Sequence, residues 1–261
     1  MRDIFADLFE NQPLDPMVSA RQGARASLRK RFYQEVQVGP NAGEDAGESF
    51  LLLLDGKQVM TPARRALAAP VKPLAELIAQ EWDEQSEVID PARMPLTRLA
   101  NVILDGIADA PTKVSDEIEK YLGSDLLCYR ADAPPALVER QTKCWNPVLN
   151  WARDERGARF VQVEGVVFTQ QPAEAIAAAR GVIPTNVWRL GAVASVTMLT
   201  GSALLALALN AGAFDADSVW AAANVDEDWQ MSHWGSDDEA LKRRASRRAE
   251  FNAAVAVLKF V

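Results

Sequence analysis

The residues best suited to chemistry sit close together near the C-terminal end of the chain. Asp226, Glu227, Asp228, Asp237, Asp238 and Glu239 form an acidic cluster, and His233, the only histidine, stands between Ser232 and Trp234. A carboxylate and an imidazole in one pocket could divide proton transfer between them, so an enzyme using Glu227 with His233 as general acid and base is one reading. Other reactive groups are sparse. One histidine and two cysteines, Cys128 and Cys144, neither in a C-x-x-C pair, cannot build a tetrahedral Cys/His zinc set. The acidic cluster lacks the D-x-[DN]-x-[DN]-G order that wraps calcium, so no metal site is expected. No G-x-x-x-x-G-K-[ST] run occurs, no G-x-G-x-x-G follows a strand and no G-x-S-x-G is present. The backbone cradles that hold nucleotide phosphates and the strained turn that exposes a nucleophilic serine are therefore missing, and no cofactor is expected. The two thiols read as small apolar groups in a reducing compartment.

Helical spacing gives Glu227 a second reading. If one helix runs over residues 216–234, Ala216, Trp220, Ala223, Glu227, Met231 and Trp234 share a stripe, while Trp229 projects from the opposite side beside Asp226. A carboxylate in the middle of an apolar face needs an Arg partner inside the fold, a raised pKa, or a partner protein that covers it. Seven tryptophans supply docking anchors for the last case. Downstream, Ser236-Asp237-Asp238-Glu239 reads as a capping box, and Arg243, Arg244, Arg247 and Arg248 follow as a solvated face.

The elements that must position these groups are legible from periodicity. Residues 1–27 are polar and aperiodic, an N-terminal arm. Phe32–Val38 alternates as a strand, a Gly-rich loop follows, and Phe50–Leu54 leads through an Asp55-Gly56 type I′ turn into Lys57–Thr61. From residue 72 the period becomes 3.6. Leu74, Leu77, Ile78 and Trp82 share one face, and further helices open at Pro95, Pro111 and Pro135 and after Pro172, Pro184 and Asp215. The segment 190–214 carries no charge over 25 residues, long enough to span a bilayer, but Thr200-Gly201-Ser202 divides it into two buried core helices. The expectation is an α+β chain: an arm over 1–27, a β-rich domain with one helix over 28–92, and a helical bundle domain over 93–261.

Composition narrows the class. With 49% hydrophobic and 25% charged residues and a mean hydropathy of -0.10, the chain has an ordinary globular composition. Its net charge of -8 opposes phosphate backbones and anionic lipid heads, so nucleic-acid partners and stable membrane insertion are not expected. The first sixteen residues hold four acids and one Arg, unlike an export signal or a transit peptide, which places the chain in a bacterial cytoplasm.

The residues Glu81-Trp82-Asp83-Glu84-Gln85, Ile89-Asp90-Pro91 and Met94-Pro95-Leu96-Thr97-Arg98-Leu99-Ala100-Asn101 strongly resemble the assembly chaperones of the F1-type ATP synthase alpha subunit, the "ATP twelve" family. The likeness extends through Lys30-Arg31-Phe32-Tyr33, Leu54-Asp55-Gly56-Lys57, Thr61-Pro62-Ala63-Arg64-Arg65 and Asp125-Leu126-Leu127-Cys128-Tyr129-Arg130. Near the end, Asp226-Glu227-Asp228-Trp229-Gln230 and Trp234-Gly235 also look like the family, so the resemblance covers roughly residues 30–250. It implies a small β-rich domain followed by an orthogonal helical bundle, binding of the unassembled alpha subunit before hexamer assembly, and no catalysis. It also implies that an acidic residue before the W-Q pair is functional, with Glu227 the best match. The partner-binding set it points to is Asp226, Glu227, Asp228, Trp229, Gln230 and Trp234. A free monomer, in the bacterial cytoplasm or the equivalent mitochondrial matrix, completes the expectation.

Overall fold

A computed structural model describes residues 28–41, 48–235 and 237–261. The N-terminal arm and Ser236, the expected cap of the last helix, lie outside the described residues. The chain divides into two compact units, the described part of Met1–Asp109 with Lys259–Val261, and Ala110–Leu258.

In the first unit a four-stranded antiparallel sheet is centred on β2 (Phe50–Leu54). β1 (Val36–Pro40) pairs along one edge with Val36 opposite Leu54, while β3 (Lys57–Gln58) and β4 (Ala68–Ala69) share the other. Asp55 and Gly56 both have positive φ, 48° and 73°, as a type I′ turn requires. β2 turns Leu52 and Leu54 inward, and α1 (Lys72–Asp83), opened by Pro73, covers the sheet with buried Leu74, Ala75 and Ile78. α2 (Pro95–Val102) continues into a wider π-type turn over Ile103–Ile107. β4 has no sequence signature, because two alanines gain their strand geometry only from pairing with Phe50 and Leu51.

α2 packs on α1 inside this unit. A carboxylate fastens the two helices: Glu81 accepts hydrogen bonds from the amides of Leu96 and Thr97, both at 2.7 Å, and from the Thr97 hydroxyl. These are the otherwise unpaired donors of the first turn of α2, which begins at a proline and has no cap of its own. Burial pushes the Glu81 carboxyl upward against those hydrogen bonds.

The second unit is helical apart from a two-stranded parallel pair, β5 (Tyr129–Arg130) and β6 (Val163–Glu164). Its helices are α3 (Pro111–Leu122), α4 (Pro135–Arg156), α5 (Ala173–Arg180), α6 (Val187–Thr200), α7 (Ala203–Asn210), α8 (Ala216–Ala223), α9 (Val225–Trp234) and α10 (Asp238–Phe260). The uncharged segment supplies most of α6 and all of α7, and 16 of the 22 residues of these two helices are buried, with Gly201 at φ 68° ending the first and Ser202 capping the second. No helix among the described residues is long and apolar enough to cross a membrane. α3 and α4 pack against this central pair, and α8 and α9 pack against α4.

The join between Leu122 and α7 rests on Asp125, which is fully buried. Its carboxylate accepts from the Leu127 amide, the Ser202 hydroxyl at 2.7 Å and the Leu204 amide. Burial outweighs these donors and pushes its pKa up to about 6. The neighbouring Cys128 is also buried, and its thiol is raised to about 12, an inert apolar group as expected.

Candidate functional site

The single helix expected over 216–234 is two helices. Asn224, buried between them, has φ -112° and ψ 16°, and its side-chain amide donates to the Trp220 carbonyl at 2.7 Å. An asparagine that takes its own i−4 carbonyl offers the backbone an alternative to the helical ladder. The stripe running from Ala216 through Glu227 to Trp234 is therefore not one face. Trp220 is buried against Phe251 with ring centroids 5.2 Å apart, whereas Trp234, at the end of α9, is 85% exposed.

The three acids that open α9 diverge because successive residues turn by about 100°. Asp226 accepts from Gln141 of α4 at 2.8 Å, and the same Gln141 side chain accepts from the Ala131 amide. Glu227 faces α10, with Arg247 at 3.2 Å and Arg244 at 4.0 Å. Asp228 pairs with Arg244 at 2.5 Å. Arg247 also donates to the Leu199 carbonyl at 3.0 Å, and Arg248 pairs with Asp217. Three of the four arginines expected to form a solvated face thus serve as the cationic counterpart of α8 and α9. The remaining one, Arg243, makes an i,i+4 pair with Glu239 at 3.5 Å. At the start of α10, Asp237 accepts from the Ala240 amide.

Of the three states open to Glu227, pairing with Arg inside the fold is what the geometry provides. The pairing is only half-buried: the Glu227 side chain keeps 34% of its exposure and that of Asp228 42%. Such a pair is held in place yet remains within reach of a competing cation.

Trp229 does not lie on an outer face. It is half-buried, with the Arg140 guanidinium of α4 5.0 Å from its ring centre and His233 4.1 Å away. The indole of Trp145 donates to the Ala222 carbonyl at 2.7 Å, so α4 meets α8 and α9 through Trp145, Gln141 and Arg140. Gln230 is exposed. His233 engages Ser232 and the Trp229 carbonyl, both at 2.9 Å. Six positions on one helix place Glu227 and His233 about 120° apart, and their partners differ, so the structure does not bring them together as an acid and base pair. Among the described residues no group of three or more His, Cys, Asp or Glu could hold a metal ion.

Several other residues that carry the family likeness join elements of the first unit. Arg31 donates to the carbonyls of Tyr33, Asp83 and Gln85, and the Tyr33 hydroxyl donates to the Trp82 carbonyl at 2.6 Å. Asp105 accepts from the Thr61 hydroxyl and the Ala63 amide, and Arg65 pairs with Asp109 at 2.6 Å. Composition and spacing alone pass over Glu81, Asp105 and Asp125, since each meets a partner far along the chain; for Glu81 and Asp125, membership in the quoted motifs is the only signal.

A small antiparallel sheet followed in the chain by a helical unit defines a chaperone class by comparison with solved structures. The crystal structure of a chaperone candidate from Agrobacterium tumefaciens matches with a TM-score of 0.82 and 44% identity, covering 98% of this chain and 96% of that one. Atp12 from Paracoccus denitrificans matches with a TM-score of 0.78 and 34% identity over 88% of this chain and 97% of that one. The mitochondrial protein atp12 of Schizosaccharomyces pombe is 23% identical over 240 residues, 84% of this chain and 81% of that protein. The profile of the family described as ATP12 chaperone protein matches residues 30–153. This chain belongs to the ATP12 chaperone family.

Proposed function

We propose that this chaperone binds the unassembled alpha subunit of an F1-type ATP synthase, keeps it from aggregating and hands it on to F1 assembly, without catalysing a reaction. The observation that carries the site is the half-exposed Glu227 and Asp228 pair, held by Arg244 and Arg247, on the helix that ends in exposed Trp234. In this reading a basic group of the alpha subunit shares or replaces the arginines, Trp234 and Gln230 extend the contact, and Asp226 and Trp229 hold α9 against α4. Exchanging one cation for another keeps each carboxylate paired, so docking exposes no bare charge. The protein acts as a free monomer in the bacterial cytoplasm.

The test is aggregation of purified alpha subunit followed by light scattering, with and without nucleotide, beside co-purification from cells making both proteins. A one-to-one complex and suppressed scattering that needs no ATP are expected. Unchanged scattering with no recovered complex would refute alpha-subunit binding, and ATP turnover by the purified chain would refute the non-catalytic reading.

A further inference from the structure

Four of the eight large apolar side chains that are exposed among the described residues belong to one short loop: Val161, Val166, Val167 and Phe168. The last three are 94%, 73% and 68% exposed. The neck of this loop is fastened from within. Gln171 is 3% exposed, and its side-chain amide donates to the Val161 carbonyl at 3.0 Å while its oxygen accepts from the Val161 amide at 2.8 Å. One arm is paired through β6 with β5, and the Gly165 amide donates to the Arg130 carbonyl at 2.8 Å. At Gly165, φ is 80°, a left-handed turn that sends Val166, Val167 and Phe168 outward. Two side-chain hydrogen bonds and a strand pair thus hold an apolar tip in water.

We infer that the 161–171 loop is a second docking element, whose Val166, Val167 and Phe168 seat in an apolar cleft of the unassembled subunit. The inference rests on the function proposed above and adds a contact separate from the charged residues of α9. Chemistry selects this occupant. No ionisable residue lies between Gly165 and Gln171, so the tip matches neither a charged groove nor a nucleic acid. A chain of net charge -8 with no cation in this segment is a poor match for an anionic lipid surface. Three or four side chains offer a few hundred Å² at most, below the ~800 Å² per partner of a standard interface, so the loop alone does not sustain a dimer and serves as one contact beside the α9 residues. Subunits of permanent complexes, by contrast, carry interfaces as apolar as a protein core, and these stand uncovered before assembly. A fixed neck keeps the entropic cost of docking low.

The experiment compares the full chain with V166S/F168S and with V166I/F168L, titrating each against purified alpha subunit and recording each melting curve. Because the altered side chains are exposed, both variants should melt within about 2 °C of the parent. The Ser variant should bind at least about tenfold more weakly, and the apolar variant within about threefold of the parent. Parent and Ser variant binding alike would overturn the loop assignment while leaving the proposed function intact. A parent that does not bind alpha subunit at all would overturn both. Sedimentation and flotation with phosphatidylcholine–phosphatidylglycerol vesicles complete the test: self-association or vesicle binding that the Ser variant abolishes, with subunit binding unchanged, assigns the tip to a second copy or to lipid instead.

Discussion

At the scale of single residues, Glu227 and Asp125 show how burial decides what a carboxylate does. Glu227 faces two arginines, of which it shares Arg244 with Asp228, but stays a third exposed, so solvent screens the pairs and each is worth far less than a fully buried one. Glu227→Gln should therefore cost about 1 kcal/mol in calorimetric melting, while weakening the alpha-subunit complex at least about tenfold, roughly 1.4 kcal/mol. Asp226→Asn and Asp228→Asn belong in the same titration. A loss of several kcal/mol in melting with unchanged binding by the folded fraction would return Glu227 to a purely structural role. Asp125 is the opposite case, sealed from water and raised by burial from 3.8 to about 6. Between those values the folded chain holds a proton that the unfolded chain has released, so stability falls as pH rises. The contribution is complete below pH 3.8 and lost as pH climbs through about 6, at most about 3 kcal/mol. Asp125→Asn cannot titrate. The stability of the parent relative to this variant should decline from pH 4 to pH 6.5 in urea melts, and a constant difference would show that Asp125 is not the group responsible.

At the scale of elements, chain breaks place the functional surface. Gly201 ends α6 in the left-handed region, where a Cβ would meet nothing within 4 Å, so substitution there strains only the backbone. Gly201→Ala should destabilise by about 1–2 kcal/mol, with the urea midpoint lowered and its slope unchanged, and Gly201→Asn by less. Equal melting of all three would mean that the junction tolerates another conformation. The break at Asn224 has larger consequences for the site. Without it Glu227 would continue the buried line of Trp220; with it, α9 leaves α8 and turns Glu227 toward α10 and Asp226 toward α4. Residues 159–169 alternate only weakly between apolar and polar, since the strand within them is two residues long and the shape of the loop depends on Gln171 closing the neck.

For the whole molecule, the uncharged stretch of 25 residues is a matter of two helices rather than one span. α6 and α7 have 14 and 8 residues. At about 1.5 Å per residue neither crosses the ~30 Å hydrocarbon core. Their burial comes instead from α3 and α4 packed around them. In fractionated cells the untagged chain should be washed from membranes by alkaline carbonate; a carbonate-resistant pellet would show that these helices leave the core and insert.

By itself the sequence determined what is local. Apolar spacing, prolines at first turns, glycines at last turns and the Asp55-Gly56 pair act within a few residues, so the hairpin, the helix starts and the division of the apolar segment follow from them. The family motifs were equally visible, and the ATP12 family follows from them and from the solved relatives. Tertiary structure alone decided the partners. Glu81 meets Leu96 and Thr97 across 15 and 16 residues, Asp125 meets Ser202 across 77, and Glu227 meets Arg247 across 20. A charged side chain looks the same in sequence whether it is solvated, capping a distant helix or pinned by arginines. Its energy depends on the dielectric and the donors around it, and those exist only once the chain has brought remote segments together.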